Sequence, residues 1–160
     1  MSKKRFYVVW KGRRTGLFET WDECAAQVSG YAGAEYKGFD SRTEARIQRY
    51  AEASFSGHYT RLEIRFRGQF CYIDAYTEPA PLGAGWPPAD WPESREEYLE
   101  RLRNTPTHLC RLRYFGDENR WGFAFYTYSN ERYELSVFPS GEFLGTAEDA
   151  FAVSAVYLNE

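Results

Sequence analysis

His108 and Cys110 are separated by one residue, and strand alternation would set the imidazole and the thiol on one face, with Cys71 as a possible neighbour. A thiolate activated by an imidazole is a nucleophile. The pair has no third group in the sequence to orient it, and a buried, inert thiol is the ordinary state of an intracellular cysteine. A metal site built from His58, His108 and the cysteines has the wrong spacing, so neither a metal nor a cofactor is expected. A second pattern is arginine alternation, Arg65 and Arg67 on one strand and Arg111 and Arg113 on another. If these strands neighbour each other, one sheet face carries four guanidiniums near Tyr126 and Tyr128, and guanidiniums beside aromatic rings could hold single-stranded nucleic acid. The same alternation also serves a solvated face paired to Glu63, Glu131 or Glu134. A third pattern is a basic turn, Lys11-Gly12-Arg13-Arg14-Thr15-Gly16, followed by a run of small residues around Gly30, Ala32, Gly33 and Ala34.

Charge separates these groups. The chain has 160 residues and a formal net charge of −3. Residues 1–50 hold ten Lys/Arg against six Asp/Glu, while residues 51–160 hold ten against seventeen. All four lysines lie in the first part. A basic head on an acidic body directs any polyanion to the head and excludes a surface that is basic throughout. Aromatic content is 19%. No apolar run approaches the ~20 residues of a membrane span. Met1–Arg5 is basic but no apolar signal core follows it. The three cysteines make neither a C-x-x-C pair nor a disulfide framework, which predicts reduced thiols and a cytoplasmic, membrane-free location.

The elements that would carry these residues begin with Phe6–Trp10, a strand of β-branched and aromatic residues. Residues 1–5 read as a disordered basic arm. A second short strand, Leu17-Phe18, follows the basic turn. Thr20 and Glu23 stand at the spacing of a capping box, so a helix starts at Trp21 and ends near Gly30. Glu35–Phe39 is a third strand. Ser41 and Glu44 repeat the box and open a second helix from Arg42 to about Ala53. Residues 1–53 thus form a small module, 54–60 a polar linker, and 61–160 a second domain.

That second domain reads as β-rich. Arg61–Arg67 and Phe70–Thr77 are strands on either side of Gly68-Gln69. A stretch from Glu78 to Pro92, rich in proline and holding Trp86 and Trp91, excludes helix and central strand. It is expected either to pack its indoles on the core or to act as a mobile, partner-docking loop. Ser94 and Glu97 cap a helix Arg95–Asn104. A meander of three strands follows, His108–Phe115, Arg120–Tyr128 and Arg132–Phe138. Thr146 and Asp149 start a last short helix, and Val153–Leu158 reads as a strand or a helix tail. The fold class is α+β: a small three-stranded antiparallel sheet with two helices, then a mainly antiparallel sheet of five or six strands with one or two helices.

The order strand, strand, helix, strand, helix within fifty residues, with Phe6-Tyr7-x-Val9, Lys11-Gly12-Arg13-x-Thr15-Gly16-x-Phe18, Thr20-Trp21-x-Glu23-Cys24, Gln27-Val28 and Gly33-Ala34-x-Tyr36-Lys37-x-Phe39, closely resembles the N-terminal hybrid-binding domain of type 1 ribonucleases H. That domain also occurs in viroplasmin, and the fold part of the expectation is accordingly viroplasmin-like. The remainder resembles uncharacterised bacterial proteins, a likeness that implies no activity.

The resemblance implies that an RNA/DNA hybrid lies with its minor groove against the head. Backbone amides in the loop before the third strand would touch 2′-hydroxyls, the groups that separate RNA from DNA. Gly30, Ala32, Gly33 and Ala34 are small enough to let that backbone approach. Tyr7 and Trp21 match the aromatic positions for the DNA strand, and Lys37 matches a phosphate lysine. Lys11, Arg13 and Arg14 add cations on the hairpin. Two positions depart from the pattern: Glu35 replaces a basic residue and Gly38 a second lysine. Each lost phosphate contact lowers the salt slope by ~0.9, so weak binding of a hybrid or of double-stranded RNA is expected. The alternative is a protein-interaction adaptor that docks a protein partner with the same module. A ribonuclease H catalytic domain needs carboxylates holding two metals ~3.5–4 Å apart. Strands here offer only Glu63, Asp74 and Glu134, so no catalytic residues are assigned and the chain is expected not to be an enzyme.

Overall fold

Four helices start where a hydroxyl meets a backbone amide three residues on, which satisfies one of the orphan N–H groups of the first turn. The computed structural model describes residues 5–158, so most of the basic arm lies outside the described residues. Thr20 Oγ accepts from the amide of Glu23 and begins α1, Trp21–Val28. Ser41 does the same for Glu44 in α2, Arg42–Phe55. Ser94 caps α3, Arg95–Arg103, and Thr146 caps α4, Ala147–Ser154. A 3-10 turn, Ala155–Leu158, continues α4, so the tail that read as strand or helix is helical.

The head sheet has the order β2-β1-β3, from β1 (Phe6–Lys11), β2 (Gly16–Phe18) and β3 (Glu35–Phe39), all antiparallel. Alternation along β1 divides its side chains between two helices. Val8, with Phe6 and Trp10, faces α2 and packs with Phe39 and Ala45. Val9, with Tyr7, faces α1 and packs on Cys24 and Val28.

The large sheet runs β4-β5-β6-β7-β8, from β4 (Arg61–Arg67), β5 (Phe70–Tyr76), β6 (Thr107–Tyr114), β7 (Trp121–Thr127) and β8 (Arg132–Ser136). A two-residue strand, β9 (Leu144–Gly145), pairs with β7 and makes six strands in all. One face of this sheet is the main core, where Ile73, Leu112, Phe123 and Phe151 pack together.

Helix α2 serves both sheets. Ala45 packs on the head sheet, whereas Ile47 and Ala51 are fully buried in the core of the large sheet. Arg46 ties the layers laterally: Nε and Nη2 donate to Glu148 Oε2 at 3.1 and 3.0 Å, and Nη1 donates to the Glu118 carbonyl and to Asn119 Oδ1. The helix continues to Phe55, so part of the span read as a linker is its last turn.

Residues 78–105 form an excursion of their own. Trp86 and Trp91 do not pack on the main core. They lie 5.4 Å apart and rest on Tyr98 of α3. Arg95 clamps the loop by donating to the carbonyls of Leu82, Gly83 and Trp86.

Candidate nucleic-acid interface

Three rings share one face of the head. Tyr7 stands on β1, Trp21 opens α1, and Tyr36 stands on β3 opposite Val9. Trp21 is 5.6 Å from Tyr7 and 5.9 Å from Tyr36, centroid to centroid. Trp21 is 48% exposed and Tyr36 46%. Trp21 takes this position because Thr20 caps α1 and leaves the first helical residue at the sheet's edge. Tyr36 is absent from the residues picked out by sequence. Counting the alternation of β3 outward from buried Phe39 would have found it.

The same count separates Lys37 from the rings. Val8 pairs with Lys37 and Val9 with Tyr36, so Lys37 points to the α2 side. Its ammonium lies 5.4 Å from the centroid of Phe39. Gly38 pairs with Tyr7 and falls on the aromatic face, so a lysine at this position would have stood among these rings.

The small-residue turn follows α1 at its other end, ~12 Å from Trp21 by helical rise. Gly30 and Gly33 have φ of 71° and 73°, a left-handed conformation that glycine takes without strain. The amides of Tyr31 and Ala34 close the turn by donating to the carbonyls of Val28 and Tyr31. Ala34 is half-buried on the head core, while Gly30, Ala32 and Gly33 are exposed. A Cβ added at Gly33 would meet nothing within 4 Å, so this stretch of backbone is open to approach.

The hairpin cations have divided duties. Arg13 braces the end of α1: its amide donates to the Gln27 carbonyl at 2.9 Å and its Nη1 to the Ala26 carbonyl at 3.2 Å. A cation there also complements the negative end of the helix. Gly12 allows this approach, because a Cβ on it would lie 2.8 Å from the Gln27 carbonyl oxygen. Lys11 pairs with Glu35 at 3.0 Å, both exposed, so Glu35 neutralises one hairpin cation. Arg14 is exposed.

The chemistry considered for the large sheet resolves differently. Between Ile73 and Asp74 the register shifts: Cys110 pairs with Ile73, but His108 pairs with Asp74. Leu109 is the extra residue of a bulge. It sends His108 to the open face and Cys110 into the core, so the thiol and imidazole do not share a face. Burial pushes the Cys110 thiol up to about 12 and raises the Cys71 and Cys24 thiols as well. All three cysteines are free and buried. His108 does have an orienting group, Asp74, whose Oδ1 is 2.8 Å from Nδ1. The other carboxylate oxygen accepts from Arg65 at 3.0 Å. Glu63 bonds Tyr76, and Glu134 bonds Arg132 and Asn130. Among the described residues no three His, Cys, Asp or Glu are grouped to hold a metal. No helix of the described residues is long and apolar enough to cross a membrane.

Comparison with known proteins agrees with the head's architecture. Residues 5–47 match the family model described as the ribonuclease H1 N-terminal domain. Ribonuclease H of Crithidia fasciculata is 47% identical over 78 residues, which cover 48% of this chain and 15% of that protein. Ribonuclease H of Schizosaccharomyces pombe is 44% identical over 64 residues, 38% of this chain and 24% of that protein. Human ribonuclease H1 is 50% identical over 40 residues, 25% of this chain and 14% of that protein. The chain therefore spans less than a quarter of the length of these relatives. No solved structure matches.

Proposed function

We infer from the ribonuclease H1 N-terminal domain at residues 5–47 that this chain binds duplexes containing an RNA strand, an RNA/DNA hybrid or double-stranded RNA, without cleaving them. The observation that carries the reading is the ring cluster of half-buried Tyr7 with exposed Trp21 and Tyr36, and, at the far end of α1, an open turn at Gly30–Gly33. The wide minor groove of an A-like duplex exposes 2′-hydroxyls and sugars, and this surface offers them amides and flat apolar rings. Arg14 and, where the Glu35 pair opens, Lys11 supply phosphate contacts. The charge on this face is small, so the affinity is weak and falls with salt.

The non-catalytic part of the reading is supported by the match, which covers the N-terminal domain of its relatives. It is also supported by the carboxylates of the large sheet, each held by arginine, tyrosine, histidine or asparagine. Anisotropy with labelled hybrid, RNA duplex and DNA duplex at ~50 mM salt tests the reading. The two RNA-containing duplexes should bind and DNA should bind less, with the difference lost in Trp21→Ala. Docking of a protein partner is a second reading, favoured by the neutralisation of Lys11 and the turning away of Lys37. Failure of every duplex to bind would support it.

A further inference from the structure

The large sheet has a face that no helix of the described residues covers. α2 and α4 pack on the side of Ile73, Leu112 and Phe123. On the opposite side the register lines up Arg65, Tyr72 and Arg111 in one row and Arg67, Phe70 and Arg113 in the next. Arg111 and Arg113 then pair with Ala124 and Gly122 on β7. The result is a lane with low walls and a floor of two very small residues.

Residues 51–160 carry seventeen acids against ten arginines, yet this face inverts that balance. It collects Arg61, Arg65, Arg67, Arg111 and Arg113, with Glu63 and Asp74 as its acids. Arg65 is taken by Asp74 and Glu63. Among the described residues Arg67, Arg111 and Arg113 make no ion pair. Arg111 lies over Phe70 at 4.6 Å and near Tyr133 at 5.5 Å, and Arg113 lies over Phe115 at 4.9 Å. Arg111 and Arg113 are thus held among rings, and Arg67 is exposed beside them, with no carboxylate to neutralise the three.

Beside Arg111 and Arg113 is a groove of about 370 Å³, walled also by Phe70, Phe115, Leu135 and Phe143, with Gly122 and Ala124 in its floor. A Cβ at Gly122 would sit 3.0 Å from the Phe115 ring, so the glycine allows Phe115 to lean in as a wall. Rings and guanidinium planes on the sides, a flat floor and unneutralised cations match a planar base on an anionic backbone. A protein partner would have to bring carboxylates to these three guanidiniums, whereas a nucleic-acid strand carries a phosphate at every nucleotide.

We propose that this groove binds the unpaired bases of single-stranded nucleic acid, with Arg67, Arg111 and Arg113 on its phosphates. This site is separate from the duplex surface of the head and stands whether or not that surface binds. Together the two would suit a duplex with a single-stranded extension.

The test is anisotropy of labelled dT15 with the full chain. The wild type should bind at ~50 mM salt. Arg111→Gln/Arg113→Gln should weaken dT15 at least ~tenfold and lower the salt slope by about 1.4, or ~0.7 for each lost phosphate contact. Gly122→Leu, which fills the floor, should also weaken it, with thermal melting confirming that each variant folds. Trp21→Ala should leave dT15 affinity within about twofold. The proposal is overturned if the wild type does not bind dT15, if folded Arg111→Gln/Arg113→Gln binds it equally well, or if Trp21→Ala abolishes the binding. It is also overturned if the double variant's only effect is to dissociate a dimer formed through this face.

Discussion

The ring of Tyr36 stands 5.9 Å from the indole of Trp21, on the face of the head sheet that Lys37 does not share. Adjacent residues of one strand thus divide between two surfaces. Tyr36 joins the aromatic trio over α1, and Lys37 joins the α2 side with Phe39. The aromatic face of the head is therefore richer in rings and poorer in charge than the sequence motif suggests.

Trp21→Ala and Tyr36→Ala should each weaken hybrid binding about tenfold, the loss of ~1.4 kcal/mol of contact energy. Lys37→Ala should change it less than about threefold, since one solvated charge contributes little. All three positions are exposed, so thermal stability should move by less than ~0.5 kcal/mol. Binding isotherms and melts of the three variants check this.

Freeing or adding a cation on the aromatic side should strengthen binding. Glu35→Gln releases Lys11 from its 3.0 Å pair. Gly38→Lys puts an ammonium beside Tyr7. Each should steepen the slope of log affinity against log salt by up to ~0.9, measured between about 50 and 200 mM salt.

Gly12→Ala should destabilise the head by ~1–3 kcal/mol, the ordinary cost of overpacking. Its Cβ would meet the Gln27 carbonyl at 2.8 Å and a Val9 methyl at the same distance. Arg14→Ala, on an exposed residue of the same hairpin, should be near neutral. Urea denaturation of the two variants separates packing from charge.

Ile47→Ala should cost ~2–5 kcal/mol, as for other aliphatic truncations in a packed core. Ile47 belongs to α2 but is fully buried against the large sheet. The head and the large sheet should therefore unfold together in one transition by circular dichroism. A fragment of residues 1–53 should melt well below the full chain.

The thiols should be silent at neutral pH. Burial raises Cys110 to about 12 from an ordinary 9.0, so the folded state favours the protonated thiol. That preference is fully present below the unfolded value and is lost as pH rises from there toward 12. Ellman's reagent at pH ~8 should label the native protein far below three thiols per chain and reach three only in denaturant. Stability should decline on the alkaline side, in a pH series of urea melts.

Local signals were legible in the sequence. The hydroxyl-to-amide caps at Thr20, Ser41, Ser94 and Thr146 depend on residues three apart, and all four helices start there. Strand alternation placed Arg65, Arg67, Arg111 and Arg113 on one face even though β5 intervenes, because register carries a face across a sheet. What failed depends on partners distant in the chain. The bulge at Leu109 reverses His108 relative to Cys110, and nothing local marks it. Trp86 and Trp91 read either as core anchors or as part of a docking loop, and their rings rest on Tyr98, a contact no local pattern marks. The bond from Arg13 to a carbonyl of α1 was likewise out of reach, because only the folded hairpin brings the two near. Tyr36 lies within reach of a period-two count from buried Phe39, which sets it on the opposite face from Lys37.

The most direct test compares one sequence as an RNA/DNA hybrid and as all-DNA, so that only the 2′-hydroxyls of one strand differ. The wild type should prefer the hybrid by at least ~tenfold, a gap of ~1.4 kcal/mol, and Trp21→Ala should close most of it. Equal affinity for the two duplexes, or a hybrid preference that persists in both Trp21→Ala and Tyr36→Ala, would contradict the account.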